Sequence, residues 1–488
     1  MPQGLPVAEN WTVLLPELVL VGGAILLLLV DAAVPNQRGP HLQATAFITL
    51  LAAAVVSFKQ WGADPRVALS GMVVGDGFGV FARWVILGAG ALATLTARGY
   101  LVRRGIDKAE FYALLLLSTA GMTLLAVSTD LIMVFVSVEL LSLALYVMAG
   151  FERARPAAQE ASMKYFLLGA FASAFLLYGI AFIFGGAGTT NLLRIKSSVA
   201  IGGLDDFRLA GVAVALLAVG LGFKAAMVPF HMWTPDAYQG APTPVTAFMA
   251  GGTKAAAFAS LVRVLVVSLP ELRWDWQPPL AVLAVVTIAF ASVLAVAQTD
   301  IKRMLAYSSI AHAGFIAIAV VATSRSGIAA AMLYLLVYTA MTIGAFASVM
   351  LFLEDGGTER VHLTKYSGVG VRRPAAAALF AFFLFSLAGI PPTGGFWAKW
   401  YVFFAAIRAH YAWLAVIAVL ASVVAAFFYV RVAVVMFMQD PDESDDMPLE
   451  RSAGLRIALA ACAAIVIATG IAPGFFLSLA ERALPLGG

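Results

Sequence analysis

Apolar residues run through this chain in long blocks, not in strict alternation. The blocks fall at roughly 12–31, 41–58, 75–97, 110–128, 130–150, 160–184, 208–229, 243–268, 278–298, 301–322, 326–353, 374–408, 411–438 and 453–479. A helix crosses a bilayer with about 20 apolar residues. The pattern therefore predicts an all-α polytopic membrane protein with about 14 transmembrane helices, in a single membrane domain over 1–488. The narrowest separation is the Ser128-Thr129-Asp130 turn between the fourth and fifth spans.

Two spans break the pattern. The twelfth, 374–408, is too long for one simple crossing and carries Gly389-Ile390-Pro391-Pro392-Thr393-Gly394-Gly395 in its middle. Consecutive prolines remove two backbone donors and forbid continuous helix. The seventh ends in Lys224-Ala225-Ala226-Met227-Val228-Pro229-Phe230-His231, again a breaker beside a charge. Irregular backbone at membrane depth survives only inside protein or beside a water-filled cavity. Paired interruptions also point to a transport site built from repeats. Spans 4–8 (110–268) and 9–13 (278–438) form two five-helix units, each with its fourth helix broken. An odd number of crossings per unit makes the second an inverted copy of the first.

Composition agrees with the pattern: 62% of residues are hydrophobic and 12% charged, about half the charge of a soluble protein. A single cysteine, Cys462, excludes disulfides, iron–sulfur clusters and cysteine-based zinc sites within the chain. His41, His231, His312, His362 and His410 have no metal-ligand spacing. No metal site or bound cofactor is therefore expected in the chain. The net charge of +4 is scattered through loops and does not suggest nucleic acid. A secretory signal needs a positive start, and no Lys or Arg precedes Arg38, so no cleaved leader is expected.

Of the 31 Lys and Arg, 24 lie at or beyond span ends. Connections after odd-numbered spans hold 15 of them and the other side holds 9. The positive-inside rule then sets the odd connections in the cytoplasm and both termini outside.

The charges inside the spans carry the chemistry. Glu139 lies about halfway along the fifth span. A charge at mid-bilayer costs at least ~2.5–3.5 kcal/mol, so it faces protein and has a partner. It is either a functional group or a static ion pair that fixes packing. Lys224 adjoins the seventh-span break, Lys254 sits near the middle of the eighth span, and Lys399 follows the twelfth-span break. Snorkelling to an interface is difficult for Lys254 and disfavoured for Lys224, where polar backbone at the break stabilises the ammonium. Glu139, Lys224, Lys254 and Lys399 thus form a row of ionisable groups at mid-membrane. His231 either relays protons or caps the broken helix. His312 lies in the second helix of the second unit, where the repeat expects a counterpart of Glu139, and bridges Lys254 and Lys399. Lys164, one turn into the sixth span, either joins the row or snorkels. Arg83, Arg263, Arg431 and Glu17 are left to packing or interfacial roles. Gly75-Asp76-Gly77-Phe78-Gly79 lacks the spacing and strand context of a dinucleotide loop.

Two blocks then resemble a known family. They are Phe223-Lys224-Ala225-Ala226 leading to Pro229-Phe230-His231-Met232-Trp233-Thr234-Pro235-Asp236-Ala237-Tyr238-Gln239-Gly240-Ala241-Pro242-Thr243-Pro244-Val245, and Asp300-Ile301-Lys302-Arg303-Met304-Leu305-Ala306-Tyr307-Ser308-Ser309-Ile310-Ala311-His312-Ala313-Gly314. They resemble the antiporter-like subunits of proton-pumping NADH:quinone oxidoreductase, respiratory complex I. The likeness is greatest to the bacterial member with fourteen helices and no long C-terminal extension. The resemblance implies that Glu139, Lys224, Lys254 and Lys399 translocate protons, driven by quinone reduction in other subunits. NADH, FMN, iron–sulfur clusters and quinone then belong to those partners. The implied setting is a bacterial inner membrane, beside other complex I membrane subunits that include a second antiporter-like one. The rival readings are a cation/proton antiporter subunit of the same fold, a stand-alone secondary transporter, and a membrane scaffold.

Overall fold

The computed structural model describes residues 9–33, 39–202, 207–354, 358–441 and 447–485. Among these, twelve helices are long and apolar enough to cross a membrane. The first part of the chain gives α1 (Leu15–Ala33), α2 (Pro40–Phe58), α3 (Gly77–Arg103), α4 (Ala109–Val127), α5 (Leu131–Ala149) and α6 (Pro156–Ala187). A short amphipathic helix, α7 (Leu192–Ala200), buries Leu192 and Ile195. The first interrupted helix is α8 (Phe207–Ala225) with α9 (Trp233–Gly240). After it come α10 (Thr243–Val267), α11 (Arg273–Val296), α12 (Ile301–Val321) and α13 (Arg325–Leu351). The second interrupted helix is α14 (Pro374–Ala388) with α15 (Gly394–Arg408). The chain ends in α16 (Ala412–Met438), α17 (Ala453–Ile471) and α18 (Pro473–Arg482).

The two anticipated breaks are real and local chemistry explains each. At the end of α14, Gly389 takes a left-handed conformation (φ +89°), and the amides of Gly389 and Ile390 both return to the Phe385 carbonyl at 3.0 Å. Glycine closes helices in this way, and a proline shortly after prevents their continuation. At the end of α8, the Met227 amide returns to Gly222 at 2.9 Å, and the Val228 amide donates to Thr287 Oγ1 at 3.0 Å. Trp233 Nε1 donates to the Phe223 carbonyl at 3.1 Å, satisfying a group that the broken ladder frees.

Several features were not foreseen. A small hairpin pairs Arg66–Ala68 antiparallel to Val73–Gly75. The predicted span 453–479 divides into α17 and α18 at Pro473. Two π-helical stretches, Met249–Thr253 and Val262–Val267, flank the short α segment that begins at Lys254.

Helices α10, α12 and α13 are buried almost throughout, whereas α1, α2 and α16 leave wide apolar faces outward. The charges therefore have a protein interior around them. Two caps hold matching places. Asp130 Oδ1 accepts from the Ile132 amide at the start of α5, and Asp300 Oδ1 accepts from the Arg303 amide at the start of α12, each at 2.9 Å. Beside the first cap, Leu131 N donates to Thr190 O and Leu192 N to Thr129 O, both at 2.9 Å. Beside the second, Ile301 N donates to Val361 O at 2.7 Å and Leu363 N to Thr299 O at 2.8 Å. In both cases the latch joins a helix start to the segment beyond the next long helix.

Two buried ion pairs brace the bundle. Glu17 meets Arg83 at 2.8 Å, and Asp76 grips Arg263 through two bonds at 2.6 and 3.0 Å. Asp76 Oδ1 also accepts from the Gly79 amide at 2.8 Å, so the glycine-rich stretch caps α3.

Candidate functional site

The lysines of the predicted row are buried: Lys224 is 4%, Lys254 1% and Lys399 5% exposed. Each is held by a different device. Lys399 lies one turn into α15 and donates to the Ala388 carbonyl at 2.8 Å. That carbonyl is freed by the break, at the negative end of α14, so the interruption itself supplies the ammonium with an acceptor. The Phe315 ring lies 4.9 Å from the same nitrogen.

Lys254 hydrogen-bonds both the backbone oxygen and the hydroxyl of Ser309 on α12. Tyr338 of α13 donates to the same hydroxyl at 2.8 Å, and its ring centroid is 5.4 Å from Lys254 Nζ. His312, 1% exposed, stands beside this group with its ring 5.2 Å from that of Tyr338. Its Nδ1 meets the Tyr334 hydroxyl at 2.7 Å and its Nε2 the Tyr429 hydroxyl at 3.3 Å. Tyr429 also bonds Ser308. On the other side His312 faces Phe315, which lies over Lys399. His312 thus stands between Lys254 and Lys399.

Lys224 occupies an aromatic cage. The rings of Phe223, Tyr146 and Tyr165 lie 5.2, 5.4 and 5.4 Å from its Nζ, which reaches the Tyr146 hydroxyl at 3.5 Å. Desolvated cation–π contacts of this kind are each worth up to about 2 kcal/mol. Glu139 is half-buried on α5, with Oε1 enclosed and without a hydrogen-bond partner among the described residues. It lies within electrostatic reach of Lys224 and Tyr146. A carboxylate thus lies near Lys224, but aromatic rings make its close contacts.

The remaining candidates lie apart from the row. His231 packs edge-on to Phe290, centroids 5.0 Å apart, with Nδ1 buried and unpartnered among the described residues. Its backbone oxygen, not its ring, accepts from Thr234. The Lys164 side chain is 44% exposed and pairs with Glu160 at 2.6 Å and Asp236 at 2.7 Å. Asp236 also binds Arg303 at 2.6 Å, which makes a polar network at one end of the bundle.

Ser309, Tyr338, Tyr334 and Tyr429 were missed because Ser and Tyr in an apolar helix read as neutral filler. The one available signal was that Tyr334 and Tyr338 stand four residues apart on a single helix face.

Interrupted helices around buried, bonded lysines define the class: a polytopic helical membrane protein of transporter-like build. Residues 128–425 match the family model described as NADH:quinone oxidoreductase/Mrp antiporter, transmembrane. The chain is 44% identical to NADH-quinone oxidoreductase subunit N 1 of Herpetosiphon aurantiacus, over 97% of this chain and 96% of that one. It is 41% identical to subunit N of Trichlorobacter lovleyi, over 98% and 97%. A chain of respiratory complex I from Thermus thermophilus superposes with a TM-score of 0.80 at 34% identity, over 96% of this chain and all of that one. The chain belongs to the NADH:quinone oxidoreductase/Mrp antiporter family, among its subunit N members.

Proposed function

We propose that this chain is the proton-translocating membrane subunit of a bacterial NADH:quinone oxidoreductase, passing protons along Glu139, Lys224, Lys254, His312 and Lys399. The observation that carries the reading is the hydrogen-bonded group of Lys254, Ser309 and Tyr338, packed ring to ring on His312, with Phe315 leading on to Lys399 beside a helix break. Hydroxyl and imidazole groups both donate and accept, as a proton relay needs. Charge moved across the membrane costs about 2.3 kcal/mol per 100 mV. Partner subunits that bind NADH, FMN, iron–sulfur clusters and quinone supply it. The neighbours of this chain are the other membrane subunits, a second antiporter-like one among them.

Two interrupted helices counted as crossings bring the total to fourteen. The matching Thr-Asp caps and strand latches at Asp130 and Asp300 favour two five-helix units, 110–268 and 278–438. Five crossings separate the caps, so they lie on opposite faces and the units are inverted. The excess of Lys and Arg favours the cytoplasm for the face bearing 98–108 and 354–373, of which 355–357 lie outside the described residues. Both termini are then external. His231, packed on Phe290 at the break, is a lesser candidate for proton exchange. Lys164, in its exposed ion-pair network, serves the rim of the cytoplasmic face.

Replacement of Lys254 or Lys399 by Met keeps the apolar stem and removes the ammonium. Glu139→Gln removes a charge at constant shape. Each variant assembles, and each lowers NADH-driven proton uptake in inverted membrane vesicles at equal complex content. Glu139→Asp retains more uptake than Glu139→Gln. If all three charges serve packing alone, uptake stays at the wild-type level, and that result rejects the relay.

A further inference from the structure

A cleft of about 490 Å³ opens at the end of the bundle where α3 stops and α6 starts, lined by Arg104, Glu152, Arg155, Thr358 and Glu359. Glu359 is unlike the rest of this lining. It is 8% exposed, and its Oε1 is buried without a partner among the described residues. Its Oε2 accepts from Thr243 Oγ1 at 2.6 Å. Thr243 is the first residue of α10, the helix that carries Lys254 eleven residues further on. At 1.5 Å per residue the carboxyl stands about 16 Å along the axis from that lysine. The gap holds buried hydroxyls. Thr246, one turn beyond Thr243, donates to the Tyr238 carbonyl at 2.9 Å, and the Tyr238 side chain interacts with that of Ser309. Ser309 is the residue that Lys254 hydrogen-bonds.

We propose that Glu359 is the proton-loading group of this chain, taking protons from the cleft and delivering them by way of Thr243 toward Lys254 along α10. The inference rests on the relay reading above. Its carboxylate accepts a proton from solvent in the cleft, passes one inward, and returns to the carboxylate. Neutral Lys254 becomes the ammonium, so charge balances across the step. Charged and polar groups surround Glu359 on every side. Lys302 from α12 is 1% exposed, donates to the Ala241 carbonyl at 2.7 Å, and lies within electrostatic reach. Arg103 acts on it from the end of α3, and Arg104, Arg155 and Glu152 face it across the cleft. Arg360 and Tyr366 complete the surroundings from its own connection, and Tyr100 from α3. A purely structural carboxylate needs only to neutralise these cations. A loading group must also bind and release protons, and a small acid in the cleft can replace that ability.

The test compares Glu359→Gln, Glu359→Asp and Thr243→Val in inverted vesicles of the whole complex, with Lys254→Met as reference. Proton uptake and NADH oxidation are read with and without formate, each against wild type at the same formate concentration. The expected result is loss of uptake in Glu359→Gln, partial recovery in Glu359→Asp, and formate-dependent restoration of Glu359→Gln. Thr243→Val loses uptake without restoration, because the block lies inward of the cleft. Wild-type uptake in Glu359→Gln overturns the proposal. So does a loss that neither Asp nor formate relieves, which marks a structural role. Loss in Lys254→Met alongside normal uptake in Glu359→Gln removes the loading site and leaves the relay; a silent Lys254→Met removes both.

Discussion

Gly395 sits at the tightest point of the second break, and its replacement by Ala tests the geometry that holds Lys399. A Cβ at this position would lie 1.8 Å from the Ser386 carbonyl oxygen and 2.7 Å from its carbon. Opening 1.8 Å to the 3.0 Å that real Cβ contacts reach requires α14 and α15 to separate by about 1.2 Å. Lys399 is four residues on, on the same helix face. Its 2.8 Å bond to Ala388 then stretches to about 4 Å, beyond hydrogen-bond range. Overpacking costs about 1–3 kcal/mol, and a lost bond to a charged group about 1.5–3 kcal/mol. Ala gains at most about 1 kcal/mol over Gly in helix propensity. Strain wins by about 1.5–5 kcal/mol. The assay is NADH-driven proton uptake in inverted vesicles at equal complex content, with the thermal midpoint of the purified complex. Both should fall. Gly474→Ala is the control: it also lies at the start of a helix, has nothing within 4 Å of the added Cβ, and should change neither. Normal uptake and an unchanged midpoint in Gly395→Ala would refute the claim that close backbone contact at the break positions Lys399.

Arg263→Met leaves Asp76 charged and buried, and should cost about 3–5 kcal/mol. A lowered thermal midpoint, with less recovery of assembled complex, checks it. A companion Asp76→Ala recovers only part of that loss, since it also removes the α3 cap. A cysteine introduced within 360–373 should react with impermeant maleimide in inverted vesicles and not in intact cells. Labelling of intact cells would reverse the orientation.

Much of the architecture is legible in the sequence because its signals are local. Twenty-residue apolar runs mark the spans, and Gly389 with Pro391-Pro392 marks a break without any partner being known. The Asp300–Gly314 block likewise carries the family likeness in contiguous residues. Distant pairings were not legible. Asp76 lies in a glycine-rich stretch that carries no motif of its own, and its partner Arg263 is 187 residues away. Lys224 is wrapped by Tyr146, Tyr165 and Phe223, aromatic residues indistinguishable in sequence from lipid-facing ones. The acceptor for Lys399 is the backbone of its own broken helix, and no side-chain pattern encodes that.

The two caps set the proposed repeat in register and change the identity of the counterpart to Glu139. Glu139 stands nine residues after Asp130 on α5, and Ser309 stands nine residues after Asp300 on α12. His312 instead aligns with Ser142, so Ser309 occupies the equivalent slot. Both slots face a lysine: Glu139 lies in electrostatic reach of Lys224, and Ser309 hydrogen-bonds Lys254. One scaffold position thus bears a carboxylate in the first unit and a hydroxyl in the second. A carboxylate responds to a change in the electric field around it, and Glu139 is only half-buried. A hydroxyl carries no charge to shift but passes a proton between bonded neighbours.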